Sequence, residues 1–383
     1  MIEEILLPIA FDNLGLKSNF HVEQLGHKIQ INTGILPEIK NAKAAIIGVT
    51  EGRGNPINTD TEYAPDVIRR ELYKLYFEYN MPIIDLGNIE AGHNIQDTIS
   101  GLSLVLSELI ADNVVPIILG GSQILSFAQF KAYVRLERFV NIAVLDAKID
   151  FGQNGNLSAD NFLYHILTHD PNYTVNFSHL CHQTYFTDPQ VIQMLDSMYF
   201  DGLRLGDVQH DIQDCEPLLR NVDMVSIDMN AIRRSDQPAH ALASPHGLYG
   251  EQACTLARYA GIGDKISSIG FYELNPSFDI QSQGAQLTAQ MIWHFLQGLY
   301  YRKPDNPEMY PQNYLKYIVT LKNHKHEMIF YKNKINDRWW MELPLAGNKY
   351  MTRRFVPCAY KDYLESCQDT VPEKWIRNLS RMF

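Results

Sequence analysis

Between residues 43 and 300, short and continuously apolar runs alternate with longer stretches of helical periodicity. This alternation restricts the fold more than any other feature of the chain. AKAAIIGV (42–49), MPIIDLG (81–87), VVPIILGG (114–121), NIAVLD (141–146), VDMVSID (222–228) and KISSIGFYE (265–273) read as strands. APDVIRRELYKLY (64–76), TISGLSLVLSELIADN (98–113), ILSFAQFKAYVRL (124–136) and GAQLTAQMIWHFLQGLYYR (284–302) read as helices. In the first of these, Ile68, Leu72, Leu75 and Tyr76 share one face, and Pro65 takes an allowed first-turn position. Strands that are apolar along their whole length are buried on both faces, which is the condition of parallel strands covered by helices. The expected class is α/β: a three-layer α-β-α arrangement around a parallel sheet.

The pattern changes after residue 302. KPDNPEMYPQN (303–313) is rich in Pro and Asn and reads as a linker. YLKYIVTLK, HEMIFYKN and RWWMELPL then resemble strands, the last two joined by a turn at KINDR. The chain divides into an N-terminal arm (1–42), an α/β domain (43–303) and a small β-rich C-terminal extension (304–383). Trp339, Trp340 and Tyr350 form either the core of that extension or a partner surface, since aromatics concentrate in both.

Composition excludes several classes. The 383 residues are 45% hydrophobic, ample for a large core, and carry a net charge of −11. No basic patch exceeds pairs such as Arg69-Arg70 and Arg353-Arg354, so nucleic acid is not an expected partner. The five cysteines (181, 215, 254, 358 and 367) include no CxxC, which argues for a reducing compartment. No apolar run is long enough for a membrane span, and MIEEILLPIAF lacks the character of a signal peptide. A soluble cytoplasmic protein is expected.

Sites in open parallel sheets lie beyond the carboxyl ends of the strands. Three strand ends carry polar groups: GGSQI (120–124), DAKID (146–150) and DMN (228–230). Residues two apart on extended chain face the same way, so Asp146, Lys148 and Asp150 are expected on one face, as are Asp228 and Asn230. Acids paired at neighbouring strand ends suit divalent metals. Other motifs read blandly. GVTEGRGNP (48–56) lacks the Lys-Ser/Thr of a phosphate loop. The pair His179 and His182 in HLCH has no second half and reads as packed or surface histidines. His324 and His326 lie in a charged loop. No GxSxG elbow occurs.

The chain resembles the arginase/ureohydrolase family: arginase, agmatinase and formimidoylglutamase. The resemblance covers residues 43 to 300. It rests on GxxxGxG followed by APDVIRREL, on IDLGNI, and on GGSQI, DAKID and SIDMNAIRRSDQP, where the family has GGDHS, DAHxD and SxDxDxxDP. SPHGL and FYELNPSFD, for a PGGL-like loop and ExNPxxD, continue it. It implies a two-manganese centre held by two His and four Asp, which generates a hydroxide. Carried over residue by residue, Asp146, Asp150 and Asp228 are kept. Gln123 and Lys148 replace the two His, Asn230 replaces an Asp, and Ser122 replaces the Asp before the first His. Ser158 stands near a proton-shuttling His of the family, and Glu273 keeps the place of a substrate-orienting acid. His240 and His246 flank a loop that shapes the substrate pocket in relatives.

With three of six ligands lost and an ammonium at Lys148, the expectation is a catalytically inactive pseudoenzyme without a cofactor, acting by ligand or protein binding. Lys148 would neutralise Asp146, Asp150 or Asp228. The alternative is a formimidoylglutamase-like hydrolase of linear amidine or guanidine C–N bonds, with Mn2+ or another divalent cation on the remaining acids. Self-association is implied by the oligomers of the family, and a protein partner is expected at the C-terminal extension.

Overall fold

The computed structural model describes residues 2–15, 20–153, 155–322, 327–344 and 355–381. Ten strands form the main sheet: β1 (Leu6–Leu7), β2 (Gln30–Ile31), β3 (Ala44–Thr50), β4 (Ile83–Glu90), β5 (Val115–Leu119), β6 (Val140–Leu145), β7 (Thr174–His182), β8 (Asp201–Arg204), β9 (Met224–Asp228) and β10 (Ser268–Tyr272). Their order is β1-β4-β3-β5-β10-β9-β6-β7-β8, with β2 also on β4, and all pairs are parallel except β1 with β4. The N-terminal residues therefore reach the sheet: β1 and β2 both hydrogen-bond to β4.

Side-chain alternation along β3 sorts the core into two layers. Ala44 and Ile46 join one cluster, with Ile68 and Leu72 and with the helices Gly250–Ile262 and Gln283–Tyr301. Ala45, Ile47 and Val49 join the other, with the helices Ile95–Ala111 and Leu125–Arg135. Each face of the sheet is buried under helices, and the three-layer α/β expectation holds. The helix from Ala64 stops at Leu72 rather than running to residue 76. Its Arg69, fully buried, grips Asp85 of β4 through Nε–Oδ2 (2.8 Å) and Nη2–Oδ1 (2.9 Å), and Tyr73 donates to the same carboxylate at 2.8 Å. This two-pronged contact satisfies the charges on both sides, the condition for burying an ion pair.

The C-terminal residues build a second, antiparallel sheet: β11 (Tyr314–Thr320), β12 (Glu327–Asn333), β13 (Trp339–Glu342) and β14 (Phe355–Cys358), in that order. Two helices, Tyr360–Cys367 and Glu373–Ser380, follow it. The sequence pattern shows the strands but not this helical ending. Trp339 and Trp340 are buried, the former in the small core with Phe330 and Met341. Tyr350, His324 and His326 lie outside the described residues. Among the described residues no helix is long and apolar enough to cross a membrane.

Candidate functional site at the strand ends

The turn after β5 is built by Gly120 and Gly121, both with φ near +75°. A Cβ on Gly121 would come within 2.9 Å of the Glu51 carbonyl oxygen, so the backbone needs glycine there. Beyond the turn the Gln123 amide N–H donates to Glu273 Oε1 at 2.7 Å. The Gln123 side chain is buried and its Oε1 has no hydrogen-bond partner.

β6 ends at Leu145, and DAKID is a turn rather than extended strand. The turn brings Asp146 and Asp150 together with Asp228 from the end of β9. One oxygen from each lies within 4.8 Å of the other two, and all three side chains are buried. This is the only such group of three or more His, Cys, Asp or Glu among the described residues. The turn also changes what Lys148 does. Its backbone N–H caps Asp146 Oδ1 at 3.2 Å, while its ammonium turns outward to Asp150 Oδ1 (2.9 Å) and to Asp160 Oδ1 (2.6 Å). Of the three cluster acids, only Asp150 gains this counter-ion. His179, buried on β7, lies 3.1 Å through Nε2 from the Lys148 carbonyl oxygen and supports the turn from below. Burial drives the His179 imidazole down to about 3, so it stays neutral.

Electrostatics follow from this placement. Burial first, then the charges of Asp228 and Asp150, push the Asp146 carboxyl well above the usual range. Asp228 is pushed up by burial, then by Glu273 and Asp150. Asp150 is raised by burial, with Lys148 pulling it back. Lys148 loses some preference for charge through burial, but Asp150 and Asp160 more than restore it and its ammonium is held charged.

Asn230 N–H donates to Asp228 Oδ1 at 2.6 Å, and Asn230 Oδ1 is buried without a hydrogen-bond partner, as is Asp146 Oδ2. The unsatisfied atoms of Gln123, Asp146 and Asn230 are all oxygens, the donor type that a hard cation takes. The set does not suit an imidazole-ligated manganese pair. The three carboxylates bring less negative charge than the four-Asp pattern, no imidazole stands among them, and an ammonium already engages one of the three.

Glu273 occupies the left-handed region with φ 66°, a strained place for a side-chain-bearing residue. Its Oε1 accepts from Gln123 N–H, and its Oε2 accepts from Asn55 Nδ2 and Asn58 Nδ2, both at 2.9 Å. The carboxylate thus clasps the 55–58 loop to the end of β10. His240 Nε2 stands 4.0 Å from Glu273 Oε2, and burial brings this imidazole down to about 4. His246 is exposed and meets Tyr185 Oη at 3.0 Å, while Ser158 N–H caps onto Asn161 Oδ1 at 2.8 Å. Neither makes a hydrogen bond to the acid cluster among the described residues. Sequence reasoning did not find Asp160, Asn55 or Asn58. The spacing from Lys148 to Asp160 crosses a loop without periodicity, so only the fold joins them.

The profile describing the Arginase family matches residues 42–297. Among curated proteins, a formimidoylglutamase of Staphylococcus haemolyticus (strain JCSC1435) is 27% identical over 247 residues, covering 61% of this chain and 78% of the relative. One of Staphylococcus aureus (strain JH9) is 25% identical over 223 residues, covering 56% and 71%. Among solved structures, Trypanosoma cruzi formiminoglutamase with Mn2+ superposes with a TM-score of 0.66 at 18% identity, covering 73% of this chain and 99% of that one. Agmatine ureohydrolase of Thermoplasma volcanium gives 0.60 at 19%, covering 77% and 97%.

Proposed function

Because the chain belongs to the arginase family, we propose that it retains the family's sheet and strand-end pocket without the two-metal hydrolytic centre, and acts by binding a ligand or a protein. One observation carries this reading. The Lys148 ammonium is ion-paired with Asp150 at 2.9 Å, in the turn where the family pattern has a metal-binding imidazole. A second supports it. Both oxygens of Glu273 accept hydrogen bonds from the protein itself, which leaves this acid a structural clasp rather than a group aimed at a substrate.

The test is metal content by elemental mass spectrometry, on protein as purified and after manganese loading and desalting. It is paired with hydrolysis assays on formiminoglutamate, agmatine and arginine. The expected result is well under one manganese per chain and no turnover. Two manganese per chain with turnover of any of the three would overturn the proposal.

The second reading is a hydrolase of linear amidine or guanidine C–N bonds, of the kind the formimidoylglutamase relatives represent. The unpartnered oxygens of Gln123, Asp146 and Asn230 favour it, because they leave acceptor positions for one divalent ion. Its signature in the same experiment is a single bound ion together with metal-dependent turnover.

A further inference from the structure

The C-terminal sheet meets the α/β domain along a cavity of about 620 Å³, which shares no lining residue with the acid cluster. That size is typical of small-molecule sites. Gln213, Glu216 and Tyr259 form one wall. The facing wall is aromatic, with Tyr317 from β11, Trp339 from β13, and Tyr360 and Tyr363 from the helix that follows β14. The Trp339 and Tyr363 rings lie 4.9 Å apart and only 25° from parallel; Tyr360 and Tyr363 lie 5.9 Å apart at 23°. Trp339 is 7% exposed and Tyr360 53%. The inner ring therefore supports the cluster, and the outer one has surface left for a ligand.

The charges of the cavity are already matched. Arg220 pairs with Glu216, Arg338 with Glu216 and Asp305, and Lys332 with Asp337. The two carboxylates of the lining, with the buried Asp305 behind it, offset its three cations, so the cavity carries no net charge that selects a cation or an anion. It does favour a ring that packs one face on tyrosine, with hydroxyls that need donor and acceptor together. Lys332 and Asp337, 2.7 Å apart, supply that combination beside the aromatic wall.

We infer that this cavity binds a neutral, hydroxyl-bearing ring, its face on Tyr360 and its hydroxyls on the Lys332–Asp337 pair. A pyranose sugar and a nucleoside share this chemistry. The inference is independent of the reading of the strand-end site. Isothermal titration of the full chain with maltotriose and, separately, adenosine tests it and distinguishes the two sources. Saturable binding of either probe is expected, weakened about tenfold by Tyr360→Ala, kept within about twofold by Tyr360→Phe, and weakened by Lys332→Met with the rings intact. Absence of saturable binding by both probes at millimolar concentration overturns the inference. So does binding that Tyr360→Ala and Lys332→Met leave unchanged.

Discussion

Replacing Lys148 with methionine keeps the aliphatic stem and removes the charge that faces Asp150 and Asp160. Its effect on cation binding can be worked from the geometry. Two unit charges 4 Å apart interact by about 4 kcal/mol at an effective dielectric of 20 and by about 1 kcal/mol in water. The Lys148 side chain is 41% exposed, so screening favours the lower figure. A divalent ion doubles it, and relieving about 2 kcal/mol of repulsion corresponds to about thirtyfold in affinity. The substitution also releases Asp150 Oδ1 from its 2.9 Å ion pair. Lys148→Met should therefore bind Ca2+ or Mn2+ at least about tenfold more tightly than the parent in isothermal titration. Lys148→Arg, which keeps the charge, should remain as weak as the parent. Equal affinities for the parent and Lys148→Met would refute the argument that this ammonium opposes an ion.

Three further outcomes follow from contacts away from the site. Asp85→Ala strands the fully buried Arg69 guanidinium and should cost about 3–5 kcal/mol in chemical denaturation, whereas a loss below about 1 kcal/mol would deny that the pair holds its helix to the sheet. Gly298→Val places a Cβ 2.6 Å from the Arg258 carbonyl oxygen where the helices Gly250–Ile262 and Gln283–Tyr301 cross, and should lower the melting temperature. Burial opposes the charges of Glu216 and Asp305, but Arg220 and Arg338 more than offset it and hold both carboxyls below the usual range. A depressed folded pKa stabilises above the unfolded value of about 4 and is lost as pH falls through the folded one. Docking of the C-terminal sheet, followed by tryptophan fluorescence, should hold from neutrality to about pH 4 and weaken below it, and Asp305→Asn should flatten that loss.

The α/β domain was legible because its signal is repetitive: each apolar run had to be buried on both sides, and only covering helices do that. β7 broke the pattern. Its polar residues Ser178, His179 and His182 all face buried surroundings, so TVNFSHLCH shows no continuous apolar run even though it is an inner strand of the sheet. The helices after β14 were missed for a different reason. Tyr360–Cys367 and Glu373–Ser380 are short and mostly polar, and they gain their stability by packing on the small sheet, which no local pattern encodes.

At the site, the acids could be located and their neighbours could not. Asp146, Asp150 and Asp228 were marked by strand ends, and the sheet register that sets β9 beside β6 brings them together. On an extended chain Lys148 shares a face with Asp146 and Asp150. The turn instead sends its ammonium outward, to one acid of the cluster and to Asp160. That difference matters for function. An inward lysine would have taken an ion's place, whereas the outward lysine covers one side and leaves Asp146 Oδ2, Gln123 Oε1 and Asn230 Oδ1 without a hydrogen-bond partner. Between the two proposed readings, the deciding quantity is how strongly a single, partly exposed ammonium opposes a cation. Spacing in the sequence does not encode that quantity, because it depends on the path of the turn from 146 to 150 and on where the loop carrying Asp160 comes to rest.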